Sequence, residues 1–195
     1  MNRRLIPLMV LCLMYISAVP ALSAESKKSK NDSGIIYGNN HSFMLTAPNG
    51  WVLDNKSGVP NGLHAVLYPV GSSWTNATAV MYANTVDKSV SGNETLDKVI
   101  EHDVDTFKKR SQNLALKEGD FLSTSSQNKK ATAKHFSGDL YNNYEAVAYI
   151  DENKVVVIIV LSAKNRDAYE KSLPSFKELV GSYQFFTEDV RIDKK

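Results

Sequence analysis

Residues 155–161, VVVIIVL, are apolar at every position. In an extended chain successive side chains point to opposite faces. Val155, Val157, Ile159 and Leu161 therefore face one way, and Val156, Ile158 and Val160 the other. A half-exposed strand would show polar residues on one side, so this pattern predicts a strand covered on both faces. The segment before it, NYEAVAYID (143–151), is joined through Glu152-Asn153, which predicts a tight hairpin. Further extended segments are expected at GIIYG (34–38) and SFMLTA (42–47), with a turn at Asn39, Asn40 and His41. Others are expected at LHAVLYP (63–69), TAVMYANTV (78–86), GDFLSTSS (119–126) and ATAKHFSG (131–138).

Two stretches have helical rather than alternating period. Leu96, Val99, Ile100, Val104 and Phe107 make one stripe, predicting a helix over about 94–110. Ser91 and Glu94 have the spacing of a capping box ahead of it, and Lys108, Lys109 and Arg110 suit its negative dipole end. Tyr169, Leu173, Phe176, Val180 and Tyr183 predict a second helix over about 166–180. Pro174 cannot donate its backbone hydrogen bond, so this helix either kinks there or restarts with Ser172 as its cap. Gly181 is a natural terminator, and SYQFF (182–186) suits a short closing strand. Together these elements predict an α/β fold: a three-layer α/β/α sandwich with a central, mainly antiparallel sheet and a helix on each face. One domain is expected over 34–186, followed by a charged tail over 187–195.

The N-terminus changes the picture of where this domain works. Arg3 and Arg4 precede an apolar run from Leu5 to Val19, and small residues follow at Ala21, Ser23 and Ala24. This is the pattern of a signal peptide cleaved near Ser23-Ala24, and it implies a periplasmic or secreted protein. The run is shorter than the ~20 residues a spanning helix needs, so stable membrane insertion is not expected after cleavage. Cys12 lies inside the apolar run with Leu11 before it, which does not suit a lipidation site. The cleaved chain then has no cysteine, hence neither disulfide nor thiol chemistry. ESKKSKNDS (25–33) reads as a flexible leader. Removing residues 1–24 takes two arginines and no acids, so 23 Lys+Arg against 21 Asp+Glu becomes 21 against 21. A formally neutral chain offers no nucleic-acid footprint.

The opening SFMLTAPNGW, the AVLYPVGSSW segment and the closing YEKSLPSFKELVGSYQF resemble the PsbP-like, Mog-type superfamily over roughly 34–186. That superfamily includes PsbP of photosystem II, the Ran-binding Mog proteins, the envelope protein DcrB and Eag adaptor proteins. The resemblance implies the α/β/α sandwich and a role in binding other proteins without catalysis. A secreted bacterial member is expected, which removes the cytosolic partners of the Mog and Eag proteins. The signal sequence also does not suit a photosystem subunit.

Candidate chemistry is sparse. Ser72 and Ser73 have His64 or His135 as candidate bases, but the Gly-x-Ser-x-Gly elbow is missing. Glu101, His102 and Asp105 fall within one helical turn and read as a solvated face rather than a metal site. No cofactor is expected. Asn31, Asn40, Asn55, Asn76 and Asn93 stand in Asn-x-Ser/Thr triplets, which reflect the Ser- and Asn-rich composition. Trp51 either closes one end of the core or borders a groove. Trp51, His64, Tyr68, Trp74 and Tyr82 are the residues expected to line such a groove for a protein or peptide partner. The leading expectation is a non-enzymatic periplasmic binding module. The alternatives are a small periplasmic hydrolase and a toxin-neutralising or envelope-stress protein.

Overall fold

The computed structural model describes residues 33–190 other than Gln112. The expected signal peptide with Cys12, residues 25–32 of the leader and the last five residues of the tail lie outside the described residues. In chain order the elements are β1 (Ser33–Gly38), β2 (His41–Thr46), β3 (Trp51–Asp54), β4 (Ala65–Pro69), β5 (Ala79–Asp87) and α1 (Leu96–Arg110). There follow β6 (Ala115–Glu118), β7 (Leu122–Ser123), β8 (Lys130–Ser137), β9 (Tyr144–Asp151), β10 (Val155–Ala163), α2 (Arg166–Gly181) and β11 (Gln184–Thr187). The fold is mixed α/β, with two α-helices among the described residues and a large antiparallel sheet.

The large sheet runs β3-β4-β5-β10-β9-β8-β6, with β7 also paired to β8. β10 lies near its middle, as its two apolar faces require. Val155, Val157, Ile159 and Leu161 pack in one cluster with Phe176, Leu179 and Val180 of α2. Val156 and Val160 pack in another with Val99 and Val104 of α1. Each such buried side chain contributes roughly 1.5–3 kcal/mol of hydrophobic transfer energy. The stripe read for α1 is the one it buries, and Phe107 stacks on Phe136 with centroids 4.6 Å apart.

A second sheet, β1-β2-β11, adds a component that the pattern of a single central sheet did not contain. Its inward residues Ile36, Phe43 and Leu45 join the α2-side cluster. The β1–β2 hairpin forms as expected, but His41 belongs to β2 and leaves Asn39-Asn40 as a two-residue turn. Between β9 and β10 the turn is shifted by one residue. Asp151 pairs with Val156, and Glu152 N–H donates to Val155 O, so Asn153-Lys154 make the turn. Glu152 is thereby drawn inward, where it accepts from the Tyr183 hydroxyl and pairs with Lys129.

The helix ends also differ from the expectation. Thr95, not Ser91, caps α1: its hydroxyl accepts from Lys98 N–H. Glu94 instead accepts from Gly92 N–H. α2 is one continuous helix through Pro174, capped by Asn165, and Ser172 is buried within it. Pro174 is tolerated because it lies on the exposed side. Gly181 is the last helical residue, and Ser182 closes the end by donating to Leu179 O while accepting from Thr46 N–H. β6 carries no alternation that a sequence pattern could show, since all four of its residues are exposed. Among the described residues no helix is long and apolar enough to cross a membrane.

Candidate functional site

Strand alternation decides where the five expected groove residues stand. Trp51 pairs with Pro69 across β3–β4 and belongs to the α2-side core, 9% exposed. It is held there by the turn before it, where Gly50 adopts φ +78° and Trp51 N–H reaches Pro48 O. Tyr82 lies on the opposite face, packed with the α1-side cluster. Trp74 sits edge-on to Tyr82 at 6.1 Å, so these two meet. Tyr68 donates its hydroxyl to Asp54 at 2.9 Å. His64 is exposed, and its charge adds to burial in holding His41 below the usual histidine value. The five therefore do not form one concave surface. Ser72 donates to Pro69 O, and among the described residues neither Ser72 nor Ser73 bonds a histidine. Glu101, His102 and Asp105 stand on the exposed side of α1.

A cavity of about 690 Å³ opens between the C-terminal half of α1 and the large sheet, and of the five residues it includes only Tyr82. The topology makes this space. The chain leaves the sheet at β5, and α1 carries it across the face to β6 at the far edge. Val147, Ile158 and Val160 form the apolar floor, with Phe107 from α1 beside them. The β8–β9 connection, residues 138–143, forms the mouth. Asp139 accepts from the N–H groups of Tyr141 and Asn143 and shapes this turn. Leu140 and Tyr141 are left 70% and 77% exposed at its tip. Gly138 is required, because its φ is +77° and a Cβ there would meet Asn113 O at 2.4 Å.

Three acids line this cavity: Asp103, Asp139 and Glu145. Glu145 is 8% exposed and lies opposite Ser162 on β10 and Phe136 on β8. Burial pushes its carboxyl up to about 7; the Ser162 hydroxyl opposes the rise, and the charges of Asp139 and Asp103 add to it. Burial likewise raises Asp103, which is partly offset by the hydroxyl of Tyr149 donating to its Oδ2. Tyr82 and Tyr149 are raised by burial first and by these carboxylates second. Ser111, at the end of α1, is 8% exposed, and its hydroxyl has no hydrogen-bond partner among the described residues. Two of these groups left a trace in the sequence. Asp103 stands four residues from both Val99 and Phe107, inside the apolar stripe. Glu145 shares strand parity with Val147 and Tyr149.

No family profile and no curated protein matches the chain by sequence. Solved structures do. PsbP (CyanoP) from Synechocystis sp. PCC 6803 aligns over 85% of this chain and 99% of its own at 11% identity, TM-score 0.51. The fold is PsbP-like. LpqN of Mycobacterium tuberculosis, described as involved in cell envelope biogenesis, aligns over 78% of this chain and 90% of its own, at 14% identity and TM-score 0.48. A Pseudomonas aeruginosa protein described as a putative regulator, PA94, aligns over 75% and 92% at 11% identity, TM-score 0.39. At 11% identity the CyanoP match carries the fold to this chain and not an activity.

Proposed function

We propose that this chain is a non-catalytic binding module of the cell envelope that takes a protein or peptide partner at the α1-side cavity. The observation that supports it best is the open cavity with Leu140 and Tyr141 exposed at its mouth. Large exposed apolar residues beside a concave apolar floor are the usual composition of a recognition site. The same reading takes the fold as a three-layer α/β/α sandwich and the N-terminal segment as a cleaved signal peptide. It assigns no cofactor. Immobilised protein exposed to envelope extract is expected to retain a specific partner that Leu140→Asp and Tyr141→Asp release. Retention unaffected by either substitution places the binding surface elsewhere.

A small hydrolase is the second reading, favoured by the Glu145 carboxyl held near neutrality inside a cavity, the condition suited to general acid–base work. It predicts turnover in a hydrolase panel that Glu145→Gln abolishes and His64→Ala leaves intact.

A further inference from the structure

The binding-module reading leaves the chemistry of the ligand open, and the inference drawn next rests on that reading. We infer that the α1-side cavity receives a basic side chain of a peptide partner, its aliphatic stem on the apolar floor and its ammonium or guanidinium among Asp103, Glu145 and Ser111. Five features converge on that class. The floor of Val147, Ile158 and Val160 suits a methylene stem but offers no polar group. The wall carries three carboxyl groups, and no lysine or arginine side chain among the described residues lines it. Among those residues no ion pair includes Glu145, which has only the Ser162 hydroxyl beside it although it is nine-tenths buried. Isolated buried carboxylates are costly, and a cation in the cavity removes that cost.

The other two features are independent of the acids. The Ser111 hydroxyl is buried at the cavity wall with no partner among the described residues, and it can accept from an N–H donor. The wall near it is the C-terminal end of α1, contributed by Thr106, Phe107 and Ser111. The carbonyl end of a helix carries partial negative charge and favours cations. Lysine or arginine fits this combination because both bury an apolar stem while keeping a charged head on polar partners. A carboxylate or phosphate ligand would meet repulsion from the three carboxyl groups.

Titration of the purified chain with N-acetyl-lysine methylamide and N-acetyl-arginine methylamide, followed by calorimetry and amide NMR shifts, tests this. The norleucine analogue, which has the same stem without the charge, and cadaverine, a free diamine, are the comparison probes. The basic amides are expected to shift the resonances of 103–111, 139–147 and 158–160, and to bind at least ten-fold more tightly than the norleucine analogue. Glu145→Gln is expected to erase that preference without weakening norleucine binding, and Ser111→Ala to reduce it several-fold. Asp103→Asn is the second acidic variant, and a well-dispersed spectrum shows that each variant is folded. Equal binding of lysine and norleucine probes overturns the inference while leaving the binding-module reading standing. Tighter binding of cadaverine than of the amides overturns the peptide source in favour of a free amine. Absence of any cavity shift with every probe overturns both the inference and the cavity as the module's site.

Discussion

Glu145 couples the cavity to solution pH. Its carboxyl ionises near 4.5 in an exposed setting and near 7 in the folded chain. Between those values the folded chain retains a proton that the unfolded chain has released. Stability therefore falls as pH rises from about 4.5 to about 7 and stays reduced above, by roughly 3 kcal/mol at most. Glu145→Gln removes the charge and keeps an acceptor for Ser162. Urea unfolding is expected to show the variant more stable than the parent at pH 8 and close to it at pH 4.5; an unchanged difference at the two pH values rejects the assignment. Gly138 marks the opposite case, in which a missing side chain is the requirement. Gly138→Ala meets both a left-handed backbone and the Asn113 carbonyl, and is expected to cost about 2 kcal/mol or more in the same measurement.

At the scale of single elements, ends were harder to read than faces. The stripes of α1 and α2 and both faces of β10 followed from spacing alone, because burial imposes its period on the apolar residues. Caps depend on one local hydrogen bond, and Ser91 and Thr95 are equally plausible hydroxyls on paper. The structure chooses Thr95. Thr95→Ala is expected to cost about 1 kcal/mol, and Ser91→Ala no more than about 0.5 kcal/mol, measured by denaturant unfolding. Pro174 shows the same limit. A proline inside a helical pattern predicts a break, yet α2 runs on because the side opposite Pro174 buries Phe176, Leu179 and Val180. Pro174→Ala restores a donor toward Glu170 O on the exposed side and is expected to raise stability by at least ~1 kcal/mol. A loss of stability would show that the ring is needed for packing.

Over the whole molecule, what the sequence concealed was convergence. Trp51, Tyr68 and Tyr82 are all aromatic and near turns, but strand parity and pairing send Trp51 toward α2 and Tyr82 toward α1. Conversely, Asp103, Ser111 and Glu145 come from a helix, its end and a distant strand, and only the crossover of α1 brings them together. Acids are ordinarily solvated, so a single glutamate in a strand does not announce that its face is closed. The second sheet was hidden for a related reason. β2 reads as one more half-buried strand, and nothing local shows that its partner on one side is β11, at the far end of the domain.

That pairing has a consequence for the order in which the chain can acquire its structure. The β1–β2 hairpin is local in sequence, but its Phe43 needs a covered side. The ring that covers it is Tyr183, 5.3 Å away between centroids, and the strand that completes β2 follows at Gln184. Closing a loop of that length is slow and is rewarded only when both ends are present. The first two strands therefore stay incompletely paired until residues 183–187 have reached them. Full cooperativity then depends on a contact between the two ends of the domain.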